Sequence, residues 1–145
     1  MKKLILLLLT LFLVSCNMGD IATMEEAREI LTENGFEVED ITTEVNQEGV
    51  KEALLAMKGS DIIIQYYDTT DPNQARFIYD ALKSSVDYDI DREDADILSA
   101  DNTLRIIRNN DIFLHLEERD GKVFYAFCSP DVEVELQRII RAFGF

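Results

Sequence analysis

The chain holds one histidine, two cysteines and two prolines in 145 residues, and only 14 Lys and Arg against 29 Asp and Glu. Each shortage excludes something. One histidine and one or two thiols fall short of the set of nitrogen and sulfur ligands that a zinc site needs. Two cysteines cannot build a disulfide framework, so the fold must be held by its apolar core. A formal charge of −15 repels nucleic-acid phosphates and anionic lipid head groups and favours cationic partners. No uninterrupted apolar run reaches the roughly 18 residues of a membrane span. Nucleophile elbow, phosphate loop, dinucleotide fingerprint and His-Glu-x-x-His are all missing, and in so acidic a chain any pair of carboxylates is uninformative as a glycosidase site. No catalytic motif and no cofactor emerge, and the expectation is a non-enzymatic domain.

What is present is concentrated in the first sixteen residues. Lys2-Lys3 forms a positive n-region, and an apolar stretch of 11 residues runs from Leu4 to Val14, interrupted only by Thr10. That length suits a signal h-region. Leu13-Val14-Ser15-Cys16 resembles the lipobox of bacterial lipoproteins, in which the cysteine thiol receives a diacylglyceryl group and becomes the mature N-terminus. The resemblance implies that residues 1–15 are removed, that Cys16 carries fatty acyl chains such as palmitate, and that the protein is anchored by lipid on the extracytoplasmic face of the cell membrane. Two acyl chains, at about 0.8 kcal/mol per buried methylene, give stable attachment. Removing Lys2 and Lys3 with the leader takes the formal charge from −15 to −17 over the remaining 130 residues. Cys128 is then the only free thiol. Residues 16–22 read as a short lipidated tether and 23–145 as one domain with a core of its own.

Thr23-Met24-Glu25-Glu26 has capping-box spacing, and Gly35 supplies a left-handed stop for the helix it opens. Phe36 to Val45 reads as a strand. Lys51 to Lys58 and Asp61 to Tyr67 flank Gly59-Ser60, the pattern of a two-residue hairpin. Asp71-Pro72 places a cap before a proline at the first helical position, and Ala75, Ile78, Ala81 and Leu82 make a stripe on a helix expected to end near Ser85. Residues 87–101 show no strong periodicity and read as an acidic connector. Thr103 to Arg108, Ile112 to Leu116 and Lys122 to Cys128 read as strands, with Asp120-Gly121 a type I′ turn signal. Ser129-Pro130 opens a last helix with Val132, Leu136, Ile139, Ile140 and Phe143 on one face.

Ala53 to Leu82 and Phe113 to Ile140 share one order, strand, tight turn, strand, cap-proline, helix, which suggests a degenerate ββα repeat with halves at 23–86 and 102–145. The expected product is an α+β domain with a single antiparallel sheet of five or six strands and helices on one face. In overall pattern it resembles small two-repeat domains of uncharacterised lipoproteins of Gram-positive bacteria.

Three groups of residues invite a functional reading. With Asp120-Gly121 as the hairpin loop, His115 lies opposite Ala126 and Phe113 opposite Cys128, so His115 and Cys128 are diagonal neighbours; an imidazole beside a thiol is the core of a cysteine nucleophile, although a buried structural cysteine is the commoner outcome. Asp87, Asp89, Asp91 and Glu93 space carboxylates two apart as a calcium loop does, but Arg92 replaces the turn glycine and Leu98 the bidentate glutamate, which leaves a calcium-stabilised structural module as an alternative to a solvated linker.

The third group is the sheet itself, whose hairpins are apolar on both faces. Ala53, Leu55, Met57, Ile62, Ile64 and Tyr66 are assigned to the helix-covered side, and Leu54, Ile63, Tyr67, Phe113 and Phe124 to the other. That second face is either covered by the N-terminal helix or the connector, or free to bind. The function expected is a lipid-anchored module that binds a basic protein or peptide through Leu54, Ile63, Tyr67, Phe113 and Phe124, with no nucleic-acid role; a cysteine-dependent enzyme built on Cys128 and His115 is the rival.

Overall fold

The computed structural model describes residues 20–90 and 95–145. The leader and its Leu13-Val14-Ser15-Cys16 motif lie outside the described residues, as do Asp91 to Asp94. Among the described residues no helix is long and apolar enough to cross a membrane.

The chain begins with α1 (Met24–Glu33), closed at both ends by its own sequence. The Thr23 hydroxyl accepts from the Glu26 amide, and the Glu26 carboxylate accepts from the Thr23 amide at 2.7 Å, so the capping box forms as read. Gly35, at φ +80°, ends the helix: the Phe36 amide bonds Leu31 O and the Gly35 amide bonds Thr32 O, the paired bonds of a Schellman stop.

The segment expected as a strand over 36–45 is split in two. β1 (Glu37–Asp40) is only the first half, because the Asp40 carboxylate accepts the Thr42 amide and turns the chain into the single-turn helix α2 (Thr42–Val45). β2 (Val50–Lys58) and β3 (Ile62–Thr69) follow, then α3 (Pro72–Asp89), whose first amides are taken by Asp71. β4 (Asp96–Ala100), β5 (Leu104–Arg108), β6 (Phe113–Arg119) and β7 (Lys122–Cys128) complete the strands. A 3₁₀ turn at Pro130–Val132 leads into α4 (Glu133–Ala142).

The seven strands among the described residues form one antiparallel sheet in the order β1-β2-β3-β7-β6-β5-β4. The seventh strand is β4, inside the stretch read as a connector, and α3 runs on to Asp89 rather than stopping near Ser85. The reason both were missed is the same. Acids and exposed positions obscure the apolar period in 84–100, whereas backbone pairing to β5 holds β4 in place with every residue exposed.

The β6–β7 hairpin has the expected register, with Asp120 and Gly121 both at positive φ and Arg119 opposite Lys122. At the β2–β3 turn the register is one residue off. Lys58 pairs with Ile62, so the loop is Gly59-Ser60-Asp61 and not Gly59-Ser60 alone. Because side chains alternate, this single step exchanges the two faces of β2. Leu54 and Ala56 thus share a face with Ile62, Ile64 and Tyr66, and Ala53 joins Tyr67 on the other.

Helices cover both faces, not one. α1 and α4 lay Ala27, Leu31, Leu136, Ile139 and Phe143 over Leu54, Ile64, Tyr66, Phe113, Phe124 and Ala126. α3 lays Ala75, Ile78, Tyr79 and Val86 over Ala53, Tyr67, Leu114, Leu116 and Val123 on the reverse face. The ββα order does recur, but α3 and α4 follow their hairpins onto opposite faces, so the two halves have opposite hands and the repeat is not supported. Nor are they separate: β3 pairs with β7 along the centre of the sheet, and α3 from the first half packs on β6 of the second.

On the first face the rings of Tyr66, Phe124 and Phe143 meet edge to face, with centroids 5.0 Å apart for Tyr66–Phe143 and 5.1 Å for Phe124–Phe143. Phe124 is fully enclosed where the central strand meets the last helix. Phe124→Ala is expected to cost about 3–5 kcal/mol. Urea unfolding followed by circular dichroism checks this, and a loss under about 1 kcal/mol would show that the ring cluster is not a core.

Candidate functional site

The five residues expected to make a binding face do not share one. Leu54, Phe113 and Phe124 are enclosed beneath α1 and α4, with exposures of 0%, 2% and 0%, while Tyr67 lies beneath α3 and Ile63 is half-buried on that same side. The second face is covered, by the N-terminal helix among others, and the surface open for contact lies at the rims of the sheet.

The ends of the sheet differ. β3 and β6 run toward the end that holds the Asp120-Gly121 turn, and β2 and β7 run toward the end that holds Gly59-Ser60-Asp61. At the Gly59 end lies a shallow depression of about 550 Å³, lined among others by Asp61, Ile90, Asp111, Ile112, Phe127 and Cys128. Its wall is fixed by backbone bonds. Ser129 N donates to Asp61 O, and the Asn109 side chain accepts the amides of Asp111 and Ile112. Its lining combines the apolar side chains of Ile90, Ile112 and Phe127 with the carboxylates of Asp61 and Asp111.

Cys128 and His115 do lie on one face of adjacent strands, as read, each two positions along from the other's partner. Their environments differ from those of a nucleophile pair. Burial, with Glu133 adding to it, pushes the Cys128 thiol up to about 11. The His115 Nε2 lies 2.9 Å from Glu117 Oε2, and its ring stands edge-on to Phe124. The described contacts of the imidazole are thus to Glu117 and Phe124, and the thiol has the properties of a core residue rather than of an activated thiolate.

The acidic stretch is equally altered by its setting. Asp87 and Asp89 belong to α3, so they do not open a loop. Asp87 pairs with Arg105 and with Lys83 at 3.2 Å. Burial works to raise its carboxyl, and the hydrogen bonds from Lys83 and Arg105 outweigh that and hold it below the ordinary value. Asp91, Arg92 and Glu93 lie outside the described residues; Leu98 is in β4. Among the described residues no group of three or more His, Cys, Asp or Glu is arranged to hold a metal ion.

Sequence reasoning passed over the sheet edges. β1 closes one of them with Glu37, Glu39 and Asp40 in four residues, a short strand on which carboxylates discourage pairing. β4 closes the other with a single acid, Asp96, and regular register to β5. Ile97 and Leu98 are among the few large apolar side chains left open, Leu98 at 55% exposure. Arg105 steadies the strand from β5 by donating to Ser99 Oγ at 2.8 Å. The signal was Ile97-Leu98 just before the Asp101-Asn102 turn, where both residues take positive φ as Asp and Asn do most readily.

Tyr88 and Phe77 add exposed rings on the outer side of α3. No protein-family model matches the chain, and no match was found among curated proteins or solved structures.

Cys128 yields a direct check. The folded state holds the thiol proton more tightly than the unfolded chain, so its contribution to stability is complete below pH 9.0 and is lost as the pH rises through about 11. Cys128→Ala is expected to lack that part of the alkaline decline in melting temperature. At pH 7.5 iodoacetamide should label native Cys128 about three hundredfold more slowly than a free thiol, given the thiolate fractions at pKa about 11 and about 8.5. Rapid labelling at neutral pH would instead restore the nucleophile pair.

Proposed function

We propose that this chain is a lipid-anchored, non-enzymatic module on the extracytoplasmic face of the cell membrane, and that it binds an extended segment of a protein or peptide along the free edge of β4. The anchor rests on Lys2-Lys3, the short apolar run and Leu13-Val14-Ser15-Cys16. The binding mode rests on one observation: both sheet faces are covered, while among the described residues no strand pairs with the outer edge of β4, which has Ile97 and Leu98 exposed beside it.

An added strand gains main-chain hydrogen bonds from such an edge and finds contact for alternate side chains on either side of it. In the register of β4, Leu98 points to the same side as Ile106 and Ile97 to the same side as Ile107, so an incoming strand meets one apolar residue on each face. A formal charge of −17 outside the leader favours a partner that carries Lys or Arg, and it speeds encounter more than it strengthens the final contact.

Selection of a displayed random-peptide library on the folded domain tests this reading. Enriched peptides are expected to be rich in β-branched residues and to carry Lys or Arg. Their addition should shift the amide resonances of residues 96–100, and Ser99→Pro, which places a ring on the strand and removes an amide, should weaken them at least about tenfold. Peptides that bind wild type and Ser99→Pro equally, or that shift only resonances far from β4, would contradict it.

A further inference from the structure

Only one edge of the sheet is built to refuse a copy of itself. Laid antiparallel against a second β1 about Val38, β1 would set Glu37 against Glu39 on both sides of the centre, and about Glu39 it would set two glutamates face to face. β4 lacks this guard. Residues 96–108, the β4–β5 hairpin, hold Asp96 and Asp101 against Arg105 and Arg108, so they are neutral within a chain of formal charge −15. With a screening length of about 8 Å in physiological salt, acids elsewhere on the domain act only weakly across a contact made here. The described ends of the chain are engaged elsewhere. Ile21 and Ala22, read as tether, are buried in the first-face core, where the Ala22 amide donates to Phe143 O at 2.9 Å, and the Phe145 ring packs on Phe124.

The backbone register fixes which groups this edge offers. The Glu118 amide donates to Thr103 O at 2.8 Å beside the Leu104–Glu117 pair, the mark of an antiparallel pair that does not exchange hydrogen bonds of its own. Leu104, Ile106 and Arg108 therefore turn their amides and carbonyls to β4, where they meet Ala100, Leu98 and Asp96. The alternate residues Ile97 and Ser99 turn theirs to the open side. An added strand finds the amides and carbonyls of those two positions, with the half-exposed Leu98 between them.

We propose that the β4 edge pairs with the β4 edge of a second copy of this chain, antiparallel about a twofold axis at Leu98, so that two seven-stranded sheets run on as one. The inference rests on the β4 edge being open to strand addition, and it names a second copy as the occupant that an extended segment of another protein displaces. In this register Ile97 exchanges both hydrogen bonds with the partner's Ser99, and Ser99 with the partner's Ile97, so the outward groups of both residues are all used. Leu98 meets the partner's Leu98 in the closer, non-exchanging kind of pair, with Ile106 behind each on the same face, and Asp96 meets the partner's Ala100. No like charges oppose each other. A seam centred on Ile97 would instead set Asp96 against Leu98, and one centred on Ser99 would carry Ile97 past the strand to the Asp101-Asn102 turn. Five residues a side are few beside the roughly 20–30 of a standard interface, so the two copies associate weakly and give way to other strands.

Sedimentation of the full-length product in a density-matched non-ionic detergent reads the association. Wild type is expected to pass from dimer toward monomer on dilution from about 1 mM, as a small interface does. Leu98→Asp and Leu98→Lys each set like charges face to face on the axis. Each alone is expected to lower the association constant at least about tenfold, whereas an equimolar mixture of the two recovers it to within about threefold of wild type, because opposite charges then meet. Leu98 is 55% exposed, so both variants keep the fold, which circular dichroism checks. A wild type that stays monomeric at about 1 mM, or variants that each associate as wild type does, would overturn the second-copy seam. If selected peptides still shift residues 96–100 in either case, strand addition stands and only the second copy falls; if they do not, both fall together.

Discussion

A sheet that is apolar on both faces must be roofed on both, and most of this structure follows from that constraint. Ile62, Ile64 and Tyr66 alternate with Ile63, Gln65 and Tyr67 along β3, and Phe124, Ala126 and Cys128 with Val123, Tyr125 and Phe127 along β7. These two central strands bury apolar area on either side, at roughly 25 cal/mol per Å² removed from water. One layer of helices would leave half of that area wet. The chain answers with α1 and α4 on one face and α3, assisted by Ile41 and Val45 beside α2, on the other. Polar contacts then fix where the roofs sit rather than how strongly they hold: Lys58 joins the end of β2 to Asn34 and Glu135, and Arg108 joins β5 to Glu133.

That constraint also decides which surfaces remain for function. A two-sided sheet roofed on both sides has its side chains spent on the interior, and what it can offer a partner is backbone at an edge or loops at an end. The two edges are unequal in a way that charge explains. β1 is short and carries three carboxylates, whereas β4 carries one and leaves Ile97 and Leu98 open.

Much of this was legible in the residues themselves. Local chemistry read correctly: the Thr23/Glu26 box, the Gly35 stop, the Asp71-Pro72 start and the Asp120-Gly121 turn each depend on neighbours within a few positions, and each formed as expected. The α+β class and the single antiparallel sheet were legible from the strand spacing, and so was apolarity on both faces. What failed depended on geometry that the residues do not encode locally. Gly59-Ser60 is compatible with a loop of two or three residues, and the one-residue difference moved Leu54 from one face to the other. The repeat rested on element order alone, which says nothing about the face onto which a helix folds back. β4 has no period of its own and exists because β5 offers it a partner. His115 and Cys128 were placed correctly relative to one another, but their chemistry comes from Glu117, Glu133 and burial, none of which their spacing reveals.

Amide hydrogen exchange on the folded domain tests the two-roofed sheet most directly. The amides of Ile64, Tyr66, Phe124 and Ala126, together with the helical amides of α1 and α3, should exchange only through global unfolding, while those of residues 97–99 exchange at least about a hundredfold faster. Release of α1 or of α3 in a low-energy opening that leaves the central strands protected would mean that one face does not need its cover, and would contradict the account.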